Sequence, residues 1–339
     1  MHKEVVIIGA SPSGLTCGKY LAMHDKEVLI LEKNTVIGPK VCAGGLTSKD
    51  IAFGIPETLI EEKFSRNIVH TPHYNTLIKS KNPLVYTVSR HALGQWQAKQ
   101  AVKAGAEIIT EANVTKIQER ELLLADGSKI GYEFLVGADG SNSILRRYLG
   151  LGSEKLIMAM QYIVPERYDD MEWFLHDKYF GCGYGWIFPH GKYTSIGCGA
   201  DMKSLSTKQL RENFEKWLKA LHIEVKNSRF EAHIINYDYK GSRFGNKFLV
   251  GDAGGFTSGL TGEGIYSAML SGQEIAKLII DKDSHSENLK KLLNLKKRDE
   301  RLLDIIKRAG IFRNLHFDLL GLLLKNKSFA ERVVRLVEY

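Results

Sequence analysis

FLVGDAGGFTSGLTGEGIYSAMLSG, residues 248–272, reads as a strand that delivers an acid into a glycine-lined turn and then a helix. Phe248–Val250 end an apolar strand, and Gly251-Asp252 breaks it. Gly254, Gly255, Gly259, Gly262 and Gly264 leave the backbone bare, free to approach a flat ligand closely. From Gly264 the residues Ile265, Ala268, Met269 and Gly272 recur at helical spacing, which predicts a helix start there. A helix N-terminus, with free N–H groups and a positive dipole end, suits an anion or an electron-rich ring. Taken alone, the stretch also fits a glycine-rich turn that holds no ligand.

The N-terminus carries a matching piece. Val5–Ile8 is an apolar strand, followed by Gly9-Ala10-Ser11-Pro12-Ser13-Gly14 and a helix expected from Ser13 through Met23. A second strand, Glu27–Leu31, ends at Glu32, 18 residues past Gly14. This is the strand–helix–strand layout of a dinucleotide fold. Gly9 makes the tight turn, Gly14 permits close helix packing, and Glu32 can accept hydrogen bonds from an adenosine ribose. Ser11 stands where the pattern has its middle glycine, so the backbone is less free to approach a pyrophosphate. Pro12 suits a first helical turn.

A third piece, FLVGADGSNSILRRYLG at residues 134–150, repeats the strand-then-acid pattern. Asp139 occupies the turn after Phe134–Val136 and Gly137, and Ser141 or Asn142 can cap the helix carrying Arg146 and Arg147. LLLADG and DGSKI upstream read as a hairpin that puts Asp139 at its strand's C-terminal end, the edge where open α/β sheets bind ligands. The plainer reading is a capped helix with two solvated arginines.

At 339 residues, 44% hydrophobic and 25% charged, the chain has room for two globular domains. No apolar run reaches the roughly 18–20 residues that span a bilayer. MHKEVVIIGA reads as a first strand rather than a signal peptide, so a cytoplasmic protein is expected. The net charge is +8, and residues 281–339 hold 14 Lys/Arg against 9 Asp/Glu. That region reads as helices, with Leu292, Leu295, Leu302, Leu303 and Ile306 on one side and Lys296, Lys297, Arg298 and Arg301 nearby. Basic helices suit peripheral contact with anionic lipid; a solvated face packed down by its leucines explains the same pattern. No recognition motif accompanies the charge, so no nucleic-acid partner is expected. The cysteines Cys17, Cys42, Cys182 and Cys198 form no CxxC pair and no metal-ligand spacing, so no metal is expected.

In order and spacing, the three pieces resemble the flavoprotein hydroxylase superfamily related to para-hydroxybenzoate hydroxylase. The resemblance implies FAD as cofactor, with Gly9, Ser11, Pro12, Ser13, Gly14 and Glu32 at its ADP half. Arg90, opening RHALGQWQAKQAVKAGAEI, matches an arginine beside the pyrophosphate. Asp139 matches the middle acidic motif, and Asp252 the acid that contacts the ribityl chain. Gly262–Gly264 would set a helix N-terminus near the ring's N1–C2 carbonyl edge, where its dipole stabilises the negative charge of reduced flavin. The resemblance also assigns Lys33, Cys42, Ala43, Val114, Gly140, Glu263 and Ile265 to the cofactor site.

GPKVCAGGLT (residues 38–47) and GYGWIFPHG (residues 183–191) narrow the resemblance to the geranylgeranyl reductase family, whose members hydrogenate isoprenoid double bonds. The family's run is close to Pro-Cys-Gly-Gly; here Val41 replaces the proline and Ala43 intervenes before Gly44. Cys42, Gly44 and Gly45 form the implied catalytic loop, and Tyr184, Trp186, Phe188 and Pro189 the implied wall for a prenyl chain. Flavin-dependent halogenases carry a similar Trp-x-Trp-x-Ile-Pro run, in which Tyr184 replaces the first tryptophan. An isolated prenyl double bond has no carbonyl to activate it, so reduction by hydride from flavin N5 depends on positioning and exclusion of water. Cys42 is a candidate proton donor or steric gate, and equally a small packing residue beside the cofactor. Cys182 and Cys198 flank a hairpin expected to centre on His190-Gly191, where they can face each other. His190 itself reads as a loop residue, and Trp173 and Phe174 as tunnel lining or sheet core.

The resulting expectation is an α/β protein: a Rossmann-like FAD-binding domain, an inserted, mostly antiparallel-sheet substrate domain, and a helical C-terminal tail. The FAD domain takes residues 1–51, 85–150 and 243–285, the substrate domain 52–84 and 151–242, and the tail 286–339. The expected substrate is an isoprenoid lipid or diphosphate, and the electron donor a ferredoxin or flavodoxin, steered by the basic balance, or NAD(P)H. A monooxygenase or halogenase on the same scaffold is the nearest rival. A quinone-linked dehydrogenase would need an iron–sulfur cysteine cluster, which the sequence lacks. A prenyl-lipid carrier of the Rab escort or GDP-dissociation-inhibitor kind would have lost the acids and glycines that remain here.

Overall fold

The structure, a computed structural model, describes residues 1–326 and 328–331. It contains two compact units: Met1–Lys40, Arg90–Lys155 and Ile235–Arg298 form the first, and Val41–Ser89, Leu156–Ile234 and the chain from Asp299 form the second.

The first unit is built on an open sheet. Val5–Ile8 and Val28–Leu31 are buried at every residue, as parallel strands are when both faces are covered. Six of its eight strands follow the order Arg243–Phe244, Lys247–Leu249, Lys129–Gly137, His2–Ile8, Val28–Leu31 and Glu107–Ile109, of which only the first pair is antiparallel; Glu121–Leu124 pairs antiparallel with both Lys129–Gly137 and Val114–Ile117. Ile8 pairs with both Gly137 and Leu31, and Gly137 with Leu249, so these strands end level. The turns after Ile8, Gly137 and Leu249 therefore leave the sheet at one edge. They are the three stretches singled out in the sequence. Helix Pro12–Ala22 and helix Ile265–Ile280 follow two of those turns, near the expected starts.

The second unit holds a seven-stranded sheet in the order Arg229–Asn236, Leu156–Val164, Thr194–Asp201, Tyr184–Pro189, Met171–Phe174, Arg66–His70 and Asn75–Lys79. From Leu156–Val164 to Asn75–Lys79 the pairings are antiparallel except that Met171–Phe174 runs parallel to Arg66–His70. Helix Thr207–Ala220, started by a Ser206/Gln209 capping box, buries Leu210, Phe214, Trp217 and Leu218 at helical spacing. Phe214 and Trp217 pack with Tyr162, Phe174 and Phe180, and burying a side chain of this size contributes roughly 2–3 kcal/mol. A separate three-stranded sheet joins Gly45–Leu46, Val85–Val88 and Ile60–Phe64.

This is the Rossmann-like plus antiparallel architecture with a helical C-terminal region that was expected. The compact units, however, begin and end elsewhere than the expected domains. Residues 41–51 and 85–89 count with the second unit because Gly45 and Leu46 pair with Thr87 and Tyr86. Residues 235–242 count with the first, where the Tyr237 and Asp238 carbonyls accept from Lys296 and Arg146. The C-terminal helices form no third unit: the described chain past Asp299 belongs to the second.

Three further readings are corrected. The helix Ile144–Tyr148 is capped by Ser143, whose hydroxyl accepts from the Arg146 N–H, not by Ser141 or Asn142. Arg146 is not solvated: it is 2% exposed and donates to the carbonyls of Ala253, Gly152 and Asp238. In helix Glu287–Arg308, Leu292, Lys296 and Leu303 share the buried face, while Leu302 points out. Lys296 is buried because its Nζ donates to Tyr237 O at 2.6 Å and Thr257 O at 3.0 Å.

Candidate functional site

In the first unit the site residues gather along the sheet edge. Gly9 takes φ +101, and a Cβ on Gly14 would lie 2.1 Å from Gly9 O, so helix Pro12–Ala22 can approach the turn only with glycine at 14. Ser11 is the helix N-cap; its Oγ accepts from Gly14 N at 3.4 Å and donates to Ala138 O at 2.8 Å. Ser13 Oγ sits 2.9 Å from Ser11 Oγ, and Pro12 opens the helix. Glu32 closes the second strand. Its Oε2 accepts from Ala10 N at 2.9 Å, while Oε1 accepts from the Asn34 backbone at 2.9 Å and side chain at 2.6 Å. Lys33 is exposed beside it, and Val114 is buried in the strand Val114–Ile117.

Asp139 and Asp252 follow two neighbouring strands. Asp139 Oδ2 accepts from Ile144 N at 2.7 Å, whereas its buried Oδ1 has no hydrogen-bond partner. Burial raises the Asp139 carboxyl above the usual carboxylate range, despite the bonds from Ser143 and Ile144 that oppose it. Gly140, next to it, takes φ +79. Asp252 Oδ1 accepts from Thr257 Oγ1 at 2.7 Å and Oδ2 from Lys40 Nζ at 2.9 Å. Beyond Gly262 and Glu263, Gly264 is the N-cap of the helix beginning at Ile265, with no side-chain cap bond.

These residues fit the FAD that the resemblance implies. Arg90 is buried at the start of helix Arg90–Lys103, and its Nε and Nη1 have no hydrogen-bond partner. Two buried guanidinium donors without a partner match the oxygens of a diphosphate. The unpartnered Asp139 Oδ1 and the helix start at Gly264, which has no side-chain cap, point to the same occupant. Among the described residues no group of His, Cys, Asp and Glu could hold a metal ion.

The second unit brings together two stretches that lie far apart in sequence. Ala43 packs in one apolar cluster with Tyr184, Trp186 and Phe188, joined by Phe64, Met171, Val85, Ala159 and Trp173. Tyr184, Trp186 and Phe188 alternate along their strand and so share a face; Pro189 ends it. A Cβ on Gly45 would lie 3.0 Å from Phe188 Cε2. Cys42 is half-buried, and its sulfur accepts from Gly44 N at 3.4 Å. Each carbonyl of the loop is held from a different element: Cys42 O by Gln161 Nε2 at 3.3 Å, Ala43 O by His190 Nε2 at 2.9 Å, and Gly44 O by Val88 N at 3.0 Å.

His190 is thus no plain loop residue. It is 1% exposed, and Nδ1 lies 2.6 Å from Glu61 Oε2. Gln161 is likewise buried, donating to Glu231 Oε2 at 2.8 Å and accepting from Ser195, which in turn accepts from Trp186 Nε1. Gln161, His190 and Glu61 carried no sequence signal, because each acts through distant contacts. Cys182 and Cys198 do not face each other. Pro189 pairs with Thr194, which places Gly185 opposite Cys198, and all four cysteines are free. Phe174 is core, packed on Trp217, and Trp173 meets Phe188 edge-on at 5.5 Å.

Comparison with known proteins adds the relatives. The FAD binding domain family matches residues 2–281. An uncharacterized protein of Methanosarcina barkeri is 33% identical over 81% of this chain and 74% of its own. A digeranylgeranylglycerophospholipid reductase of Methanosphaera stadtmanae is 27% identical over 87% of this chain and 83% of its own. Among solved structures, a geranylgeranyl bacteriochlorophyll reductase-like protein from Thermoplasma acidophilum gives a TM-score of 0.75 at 20% identity, covering 100% of this chain and 92% of that one. A flavin-dependent brominase gives 0.73 at 18% identity, covering 99% and 93%. These structural likenesses show the fold, which reductase-like and halogenating proteins share.

Proposed function

This chain belongs to the FAD binding domain family and uses FAD, and on that premise we propose that it reduces isolated C=C bonds of a geranylgeranyl lipid or diphosphate. The observation that carries the reading is the packing of Ala43, next to Cys42, with Tyr184, Trp186 and Phe188 in one apolar cluster. The reductases among its relatives support the prenyl substrate class. In this reading the first unit holds the cofactor and the second receives the prenyl chain. The Gly9–Gly14 turn and Glu32 take the ADP half, Arg90 the pyrophosphate, Asp252 the ribityl hydroxyls, and the helix start at Gly264 the pyrimidine edge. Reduced FAD, when bound, supplies a hydride to one alkene carbon.

The chain's own residues do the rest. The aromatic face of Tyr184, Trp186 and Phe188 excludes water and aligns an apolar chain that offers no polar handle. Cys42 gives its thiol proton to the second carbon, so hydride and proton together saturate the bond. The Gly44 N–H bonded to the sulfur offsets the negative charge left there. Contact with a membrane surface belongs to the same reading. Ile311, Phe312, Leu315 and Leu319 are exposed at and after the turn before helix Arg313–Leu324, in a basic stretch of chain. No helix among the described residues is long and apolar enough to cross a membrane. The test is to reduce the purified holoprotein with dithionite and add a digeranylgeranylglycerol phospholipid. Mass spectrometry should show two hydrogens gained per double bond; no gain sinks the proposal.

A further inference from the structure

We infer that His190, held by Glu61, is a positioning residue for Cys42: it fixes the Ala43–Gly44 peptide so that the Gly44 N–H stays aimed at the sulfur. The inference rests on the proposed role of Cys42 as proton source. The two ring nitrogens of His190 face two acceptors, Glu61 Oε2 at 2.6 Å and Ala43 O at 2.9 Å. A carbonyl oxygen has no proton to give, so Nε2 carries one and donates it to Ala43 O. Glu61 on Nδ1 fixes the ring, as carboxylates fix histidines elsewhere. Tyr193 stacks on the imidazole with centroids 4.3 Å apart and planes 12° from parallel.

In a planar trans peptide the C=O and N–H point in opposite directions. Anchoring Ala43 O on one side therefore sets the direction of the Gly44 N–H on the other, and that N–H donates to Cys42 Sγ at 3.4 Å. The flanking carbonyls are tied to Gln161 and Val88, which hold the peptides on both sides. Gly44 itself takes φ +74, and a Cβ there would lie 2.7 Å from His190 Cε1. Only glycine lets the ring sit so close above the loop. A backbone N–H at sulfur stabilises the thiolate that forms when the proton leaves, as N–H donors do for oxyanions.

Tyr193, which stacks on His190, has Glu61, Cys42 and Glu231 as its titratable neighbours, with Glu231 paired to Arg229. Burial, then Glu61, Cys42 and Glu231, pushes the Tyr193 hydroxyl up, so it keeps its proton through neutral pH.

The test is alkylation of Cys42 by iodoacetamide in the flavin-loaded full chain, read by peptide mass for wild type, His190→Ala, His190→Gln and Glu61→Gln. His190→Ala and Glu61→Gln should slow alkylation about five- to tenfold near neutral pH, and the difference from wild type should shrink as the pH is raised. His190→Gln, which keeps an N–H donor for Ala43 O, should recover most of the rate. Wild-type rates at every pH in folded, flavin-retaining His190→Ala overturn the inference. A change of equal size at every pH overturns it too, since that reports access alone. If His190→Ala fails to fold, Glu61→Gln takes its place, and either of those two outcomes in that variant overturns the inference equally. Should Cys42→Ala leave lipid reduction intact while the alkylation profiles shift as stated, the proton-source role falls and the positioning of Cys42 by His190 stands.

Discussion

Lys40 and Asp252, 212 residues apart, meet at 2.9 Å between Nζ and Oδ2. Thr257 takes the other carboxylate oxygen, so the acid proposed for the ribityl chain is oriented by its own unit. Asp252→Asn should weaken FAD binding about tenfold, the worth of one hydrogen bond to a charged group. Lys40→Met should change it less than about threefold, because Thr257 still orients the carboxylate. Flavin fluorescence titration measures both, and equal losses in the two variants would overturn this division of labour.

Close packing of two helices gives a second prediction. A Cβ on Gly272 would lie 2.2 Å from Ser13 O and 3.2 Å from Cys17 N, both backbone atoms that cannot move aside alone. Gly272→Ala should push helix Ile265–Ile280 off helix Pro12–Ala22 and destabilise the protein by about 1–3 kcal/mol. Thermal unfolding and retained flavin report it together; an unchanged melting temperature would show that the helices separate freely.

Asp318 ties helix Arg313–Leu324 to the loop at Thr71 and His73: Oδ1 accepts from Thr71 Oγ1 at 2.8 Å and His73 N at 3.0 Å. Burial opposes ionisation, but the bonds from His73 and Thr71 outweigh it and hold the carboxyl below the usual carboxylate range. Its folded value being depressed, the stabilisation is present in full above the unfolded value of about 3.9 and is lost as pH falls through the folded one. Asp318→Asn should therefore cost about 1–2 kcal/mol near neutral pH and progressively less in acid, followed by denaturant unfolding at several pH values. A pH-independent cost would show that only shape matters there.

Ile311 is 88% exposed and Phe312 60%, beside Leu315 and Leu319 on the following helix. Ile311→Ser combined with Phe312→Ser should abolish sedimentation with vesicles of anionic phospholipid, while melting temperature stays within about 1–2 °C. Unchanged sedimentation would leave this apolar row without a part in lipid contact.

The first unit was legible because its signals are local. A strand that ends in glycine and a helix that starts on proline or behind glycine write themselves into a dozen consecutive residues. Register then places the turns after Ile8, Gly137 and Leu249 on one edge. The second unit hid more. His190 reaches Glu61 and Ala43 across 129 and 147 residues, and nothing near His190 in the chain announces either. Arg146 and Arg147 look alike in sequence, yet one turns inward onto three carbonyls and the other outward. That Cys182 and Cys198 do not face each other was hidden in the register: one closing pair, Pro189 with Thr194, decides every partner along the hairpin.

Ser11 departs from the glycine pattern, yet its hydroxyl caps the helix and bridges to Ala138 O at 2.8 Å. Consensus redesign would treat that position as a defect to repair. Ser11→Gly gives up the bridge and the cap, about 1 kcal/mol, while freeing backbone that already forms its turn. The nonconforming residue is a fastener between the turns after Ile8 and Gly137, and idealising the motif would unfasten them.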